Sequence, residues 1–268
     1  MKRDKVASVS IILPCIGGDE HFKPPFSKEL MMMSEDMSVI DSSFRHILSS
    51  RFFKLAKPRV IVIIESNKSD TVRYLSKKYG DKVDLVFIFQ KSVRSVHAGR
   101  SDHADTMSAV RSVEHLFGDK NILLMPNIII EDKDKKIPLI DRMLDALEGQ
   151  PFAFICKEEA SVSRLKLSGA LNIKDGKIVD YQHQPAKNFE KYNAFWVSFG
   201  FRKEIFDEAA SVLEKGTLKN QKSAIYKSSP VMVTQCDNIS TWTNLNAYLL
   251  KQYLIKSGVD PQFIKIYQ

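Results

Sequence analysis

The stretch Ser10–Leu30, SIILPCIGGDEHFKPPFSKEL, decides how this chain is read. Ile11-Ile12-Leu13 is an apolar run of the kind that lies buried in a sheet, and it leads into Gly17-Gly18, a polar loop, Pro24-Pro25 and Lys28. A strand that opens into glycines lets backbone N–H groups approach a phosphate that a Cβ would keep away. A lysine beyond the loop adds a mobile positive charge. A plain surface turn has the same local pattern, so the segments downstream must arbitrate.

Those segments alternate. A helix is expected from about 41 to 53, with Phe44, Ile47, Leu48 and Phe52 on one face, and Met31-Met32-Met33 ahead of it reads as adaptable core. Val60–Ile64 is apolar throughout, like a strand covered on both faces, and ends at Glu65-Ser66-Asn67. A helix from Ser69 or Asp70 to Tyr79 and a strand over 83–89 follow. A helix with Met107, Val110 and Val113 as its buried stripe, an apolar run over 121–130, a helix over 137–147 and a strand over 152–156 complete the first part. This rhythm predicts an α/β fold with a three-layer, doubly wound, mainly parallel sheet whose ligand binds at the carboxyl ends of the strands.

The pattern then changes. Residues 167–173 and 177–181 flank Lys174-Asp175-Gly176 and read as a hairpin on an Asp-Gly turn. A strand over 192–199, a helix over 203–215, a strand over 231–236 and a C-terminal helix are expected beyond it, with 215–229 as an irregular flap. The expectation is one domain, 1–268: a nucleotide-binding half (1–150), a second half with the hairpin (151–235) and the terminal helix (236–268).

The composition is that of a globular protein, with 44% hydrophobic and 27% charged residues, which excludes a largely disordered chain. The net charge of +8 favours anionic ligands, but the basic residues are scattered without interleaved aromatics, so no specific nucleic-acid surface is expected. No apolar run is long enough to span a membrane and Met1–Lys5 leads straight into a strand, so the expected location is cytoplasmic. Nothing in the sequence sets an oligomeric state. Cys15, Cys156 and Cys236 lack the close spacing of a zinc site and read as reduced, buried thiols; Cys15 has no adjacent histidine to activate it as a nucleophile.

The order of segments resembles the sugar-phosphate nucleotidylyltransferases. Phe26-Ser27-Lys28-Glu29-Leu30 is similar to that family's Pro-Lys step, and Val39-Ile40-Asp41 to the start of its next helix. The resemblance implies nucleotide contacts at Pro14, Cys15, Gly17, Gly18, Gln90, His103 and Ala104, with Lys28 as the catalytic lysine. It implies sugar-side contacts at Gly169, Gln184 and Asn193, with a hairpin closing over the sugar. Asn127 and Thr241 fall where the family carries the two aspartates that hold catalytic Mg²⁺. The family's loop arginine is replaced by Asp19-Glu20-His21. An amide and a hydroxyl offer neutral oxygen where a hard cation wants carboxylate, so Mg²⁺ is expected to bind weakly or not at all.

Three readings follow. The chain is a divergent nucleotidylyltransferase, with Asp102, Asp105 or Asp237 rescuing the metal; or it is a non-catalytic binder of a nucleotide or nucleotide-sugar; or it is a glycosyltransferase of related fold, for which Asp132-x-Asp134 has the spacing but lies late, in a charged loop.

Overall fold

A computed structural model describes residues 8–16, 27–54, 57–90, 102–131, 136–158, 162–166, 169–175, 177–215, 223–227, 232–235, 254–258 and 260. Gly17, Gly18, Asp132, Asp134, Gly176, Cys236, Asp237, Thr241 and most of the expected C-terminal helix lie outside them. The elements in order are β1 (Val9–Cys15), β2 (Met32–Ser34), β3 (Met37–Ser38), α1 (Val39–Ser49), β4 (Arg59–Glu65), α2 (Ser69–Tyr79), β5 (Asp84–Gln90), α3 (Asp102–Ser112), β6 (Lys120–Leu124) and β7 (Ile128–Glu131). They continue with α4 (Leu139–Gly149), β8 (Phe152–Glu158), α5 (Val162–Leu165), β9 (Gly169–Lys174), β10 (Lys177–His183), β11 (Ala194–Arg202), α6 (Phe206–Lys215), β12 (Ser223–Lys227) and β13 (Met232–Gln235).

Nine strands form one sheet in the order β5-β4-β1-β6-β11-β8-β12-β10-β9. The first four run parallel, with Ile12 beside both Ile61 and Leu123. Their apolar runs need cover on both faces, and both faces have it. Ile11, Leu13, Val60, Val62 and Ile64 pack with Ile40, Phe44 and Ile47 of α1, Leu75 of α2 and Met143 of α4. Ile12, Ile61, Ile63 and Leu123 pack with Met107 and Val110 of α3 and with Phe206 and Ala209 of α6. The result is the expected three layers, and the sheet is mixed: β11 joins it antiparallel to both β6 and β8.

The hairpin β9–β10 belongs to this same sheet, and β9 also pairs with β11. Strands β11, β8, β12, β10 and β9 therefore close on one another as a small barrel. Strand β12 arises within the segment expected to be a flap, where it lies parallel to β8 over Ala224–Lys227. Its Ser223-Ala-Ile-Tyr-Lys227 is too short to show a period against the lysines and serines around it; pairing with β8 and β10 supplies the order that local pattern does not.

Of the three methionines before α1, Met31 and Met33 are buried while Met32 is half exposed, because β2 and β3 form a hairpin that no alternation in this short stretch announces. The apolar run 121–130 divides at Pro126-Asn127: β6 stays in the main sheet, and β7 leaves it to pair with β13.

Candidate functional site

The chain moves from β1 outward to β4 and β5 through α1 and α2 on one face of the sheet, then returns across it through α3 on the other face to enter β6 on the far side of β1. The winding reverses between β1 and β6. In open α/β sheets the crevice at the carboxyl ends of such a strand pair is where ligands bind.

Pro14-Cys15-Ile16 ends β1 here, and Met125-Pro126-Asn127 turns at the end of β6, the turn closed by the Ile128 amide donating to the Met125 carbonyl at 3.1 Å. Asn127 is half-buried at this turn. Strand β13 ends with Gln235 opposite Ile128, the residue after Asn127, and Asp237 follows two positions later in the sequence, outside the described residues.

Lys28 opens a short 3₁₀ turn, Lys28–Leu30, that is fastened on both sides of it. Before it, Ser27 donates to the Asp70 carboxylate from its amide at 2.7 Å and from its hydroxyl at 2.6 Å. After it, the buried Glu29 accepts from Lys68 Nζ at 3.1 Å and from the Thr71 hydroxyl at 3.0 Å. Lys68, Asp70 and Thr71 surround the first turn of α2, just past the carboxyl end of β4, so the Lys28 turn is held at the same edge as Cys15 and Asn127. Asp70 stays below its ordinary carboxyl range: burial, the largest influence, works upward, and the hydrogen bonds from Ser27 and Thr71 outweigh it.

None of Ser27, Glu29, Lys68, Asp70 and Thr71 was among the residues expected at the site. The partners lie about forty positions apart, and no local pattern links them.

Cys15 sits beside this ion pair and is buried. Burial pushes its thiol well up, the Glu29 charge adds to that and Lys68 only partly offsets it, which leaves a protonated, inert sulfur. Gln90 ends β5 and donates from its side-chain amide to the Ser112 hydroxyl of α3 at 2.7 Å. His103 and Ala104 lie in the first turn of α3, with their side chains outside the described set.

Magnesium prefers a cage that includes charged oxygen. Asn127 offers a neutral amide oxygen, and among the described residues no three His, Cys, Asp or Glu side chains converge to hold a metal. The donors described at this edge do not fit a divalent cation.

No family model and no curated protein matches this sequence. Solved structures do match. A Bacillus anthracis protein assigned as a glucose-1-phosphate thymidylyltransferase superposes with a TM-score of 0.68 at 12% identity, over 97% of this chain and 98% of its own. A UDP-glucose pyrophosphorylase in complex with UDP-glucose gives 0.65 at 14%, over 91% and 99%. The inositol-1-phosphate CTP transferase of T. maritima gives 0.62 at 12%, over 95% and 98%. The chain shares the fold of these proteins.

Within this fold the residues expected on the sugar side carry structural tasks. Gly169 opens β9 directly against the Trp196 indole: a Cβ there would come within 2.0 Å of Trp196 Nε1. Asn193 spends both ends of its amide on Ile173, accepting from the N–H and donating to the carbonyl, each at 2.9 Å, which ties β9 to the start of β11. Gln184 follows β10 with a left-handed backbone (φ 44°) and an exposed side chain. Beside Gly169, Tyr181, Phe154 and Trp196 pack in one core cluster, with ring centroids 6.2 Å apart from Phe154 to each of the others.

Proposed function

We propose that the chain is a divergent sugar-phosphate nucleotidylyltransferase in origin, that it binds a nucleotide or nucleotide-sugar at the carboxyl edge of β1, β4 and β6, and that it transfers nucleotidyl groups slowly or not at all. The observation that carries this reading is Asn127 at the end of β6, on the winding reversal of the sheet, where the resemblance calls for a metal-binding aspartate. Nucleotidyl transfer needs Mg²⁺ and basic groups to neutralise charge on the α-phosphate as it is attacked, and a neutral amide gives the metal a poor anchor. Binding has lesser needs: an ammonium for phosphate, a side chain for the base and a wall for the sugar. In this reading Lys28 meets the phosphates, Gln90, His103 and Ala104 lie on the base side with Pro14, Cys15, Gly17 and Gly18 along the phosphate loop, and Gly169, Gln184 and Asn193 lie on the sugar side.

A second reading, with transfer retained, is favoured by one feature. Strand β13 ends opposite Ile128, next to Asn127, and Asp237 lies two positions further along the chain. In that case Asp237 is the carboxylate that recruits the metal, and Asp237→Asn abolishes turnover.

The test is release of pyrophosphate from each nucleoside triphosphate paired with a panel of sugar-1-phosphates in Mg²⁺. The wild-type chain is expected to release little or none. Asn127→Asp combined with Thr241→Asp is expected to strengthen Mg²⁺ binding more than turnover, since the loop arginine is still absent and poor orientation alone costs orders of magnitude. Brisk wild-type turnover that Asp237→Asn removes would replace the first reading by the second. Lys28→Ala is expected to weaken nucleotide binding roughly tenfold or more, the scale of a lost charge-assisted hydrogen bond. Equal affinity in Lys28→Ala would remove Lys28 from the site.

A further inference from the structure

Lys28 is half-buried, and its ammonium has no ion-pair partner among the described residues. Its two neighbours in sequence are the most firmly held residues of the turn. Ser27 gives both its donors to Asp70, and Glu29 takes Lys68 and Thr71. The Lys68–Glu29 pair is nearly dry, with side-chain exposures of 10% and 2%. Burying two charges is costly unless their geometry is fixed and their remaining hydrogen-bonding capacity is met, which the Thr71 hydroxyl helps to do. Such a pair contributes little net stability compared with apolar packing.

We propose that Asp70, Thr71 and the Lys68–Glu29 pair are positioning residues: they clamp the turn on both sides of Lys28, so that its ammonium is presented to an anionic ligand at the carboxyl edge of the sheet. This rests on the reading of Lys28 as a phosphate contact. Each clamp bond runs from the turn to the first turn of α2 or the residue before it, so the lysine's place is set by the junction of β4 and α2.

Two readouts separate the clamp from the ligand reading. The first needs no ligand. Amide exchange at Leu30 and Met31, whose N–H groups close the turn on Ser27 and Lys28 carbonyls, is expected to quicken in Thr71→Ala and Asp70→Asn while β1 amides are unchanged. The second uses inorganic tripolyphosphate as a base-independent anion. Thr71→Ala is expected to weaken its binding roughly tenfold in the wild-type background and less than about twofold in a Lys28→Ala background, because the hydroxyl acts through the lysine. Thr71→Ser, which restores the hydroxyl, is expected to recover affinity.

Unchanged exchange at Leu30 and Met31 would overturn the clamp whatever the ligand. Faster exchange with undiminished tripolyphosphate affinity would overturn the positioning role and leave Lys28 as a contact. An equal loss in both backgrounds would show a general structural effect and overturn it too. Failure of the wild-type chain to bind tripolyphosphate, or equal binding by Lys28→Ala, would overturn the ligand reading and the proposal with it.

Discussion

Asp41→Asn is expected to destabilise the fold by about 2–4 kcal/mol, since it removes the charge of a buried carboxylate on which four donors converge. Asp41 is 4% exposed in the first turn of α1 and accepts from the Ser38 amide (2.7 Å), Tyr74 (2.5 Å), Lys78 (2.7 Å) and Tyr79 (2.7 Å). It thereby caps its own helix and bolts α1 to α2. The Tyr79 ring also stacks on Phe44 with centroids 4.0 Å apart, so the network is continuous with the core. At this chain length each kcal/mol moves the midpoint by roughly 2–4 °C, which calorimetry resolves.

The pH dependence has a definite sign. Burial is the largest influence on Asp41 and pushes its carboxyl up, but the hydrogen bonds from Lys78 and Tyr74, then Ser38 and Tyr79, outweigh it and leave the group below its ordinary range. A group lowered on folding stabilises the fold above its unfolded value and loses that contribution as the pH falls through the folded one. Acid destabilisation below about pH 4 should therefore be shallower in Asp41→Asn than in wild type. Asp70 and Glu148 shift in the same direction and add to the slope that remains. An acid limb of unchanged steepness would show that Asp41 is not held as described.

Gly169→Ala is the second large effect. The added methyl would lie 2.0 Å from Trp196 Nε1, 2.4 Å from its Cδ1 and 3.1 Å from a Tyr181 ring carbon. Trp196 and Tyr181 are 7% and 0% exposed, so neither ring has room to swing away. Overpacking of this kind costs about 1–3 kcal/mol and sometimes more. The companion experiment is Trp196→Phe, whose smaller ring frees the space: adding Gly169→Ala to it should cost much less than in the wild-type background. Simple additivity would show that the glycine answers to something other than the indole.

The parallel half was legible because its strands are covered on both faces. Val60–Ile64 and Ile11–Leu13 leave no choice but burial, and the helices between them carry single apolar stripes. The hairpin was legible from Asp175, whose left-handed backbone (φ 49°) an aspartate tolerates well. What stayed hidden depends on partners distant in sequence. Strand β12 is ordered by β8 and β10, the closure of β9 onto β11 follows from no local period, and the Lys68–Glu29 pair joins residues 39 positions apart.

The same holds for the site. Asn127 and Lys28 stand out as candidates because each ends or follows an element that the apolar pattern marks. The structural tasks of Asn193 and Gly169 are not visible in the sequence, because a side-chain amide that pins a backbone and a glycine that admits an indole look there like residues that approach a sugar.

The carboxyl edge of β1, β4 and β6 is expected to bind nucleotide without a tightly held metal. Titration calorimetry of the wild-type chain with nucleoside triphosphates and nucleotide-sugars, each with and without Mg²⁺, tests it most directly. Saturable binding of at least one of them is expected, with affinity nearly the same in chelator as in Mg²⁺. Binding that appears only with Mg²⁺, or tight Mg²⁺ binding to the free protein, would contradict it.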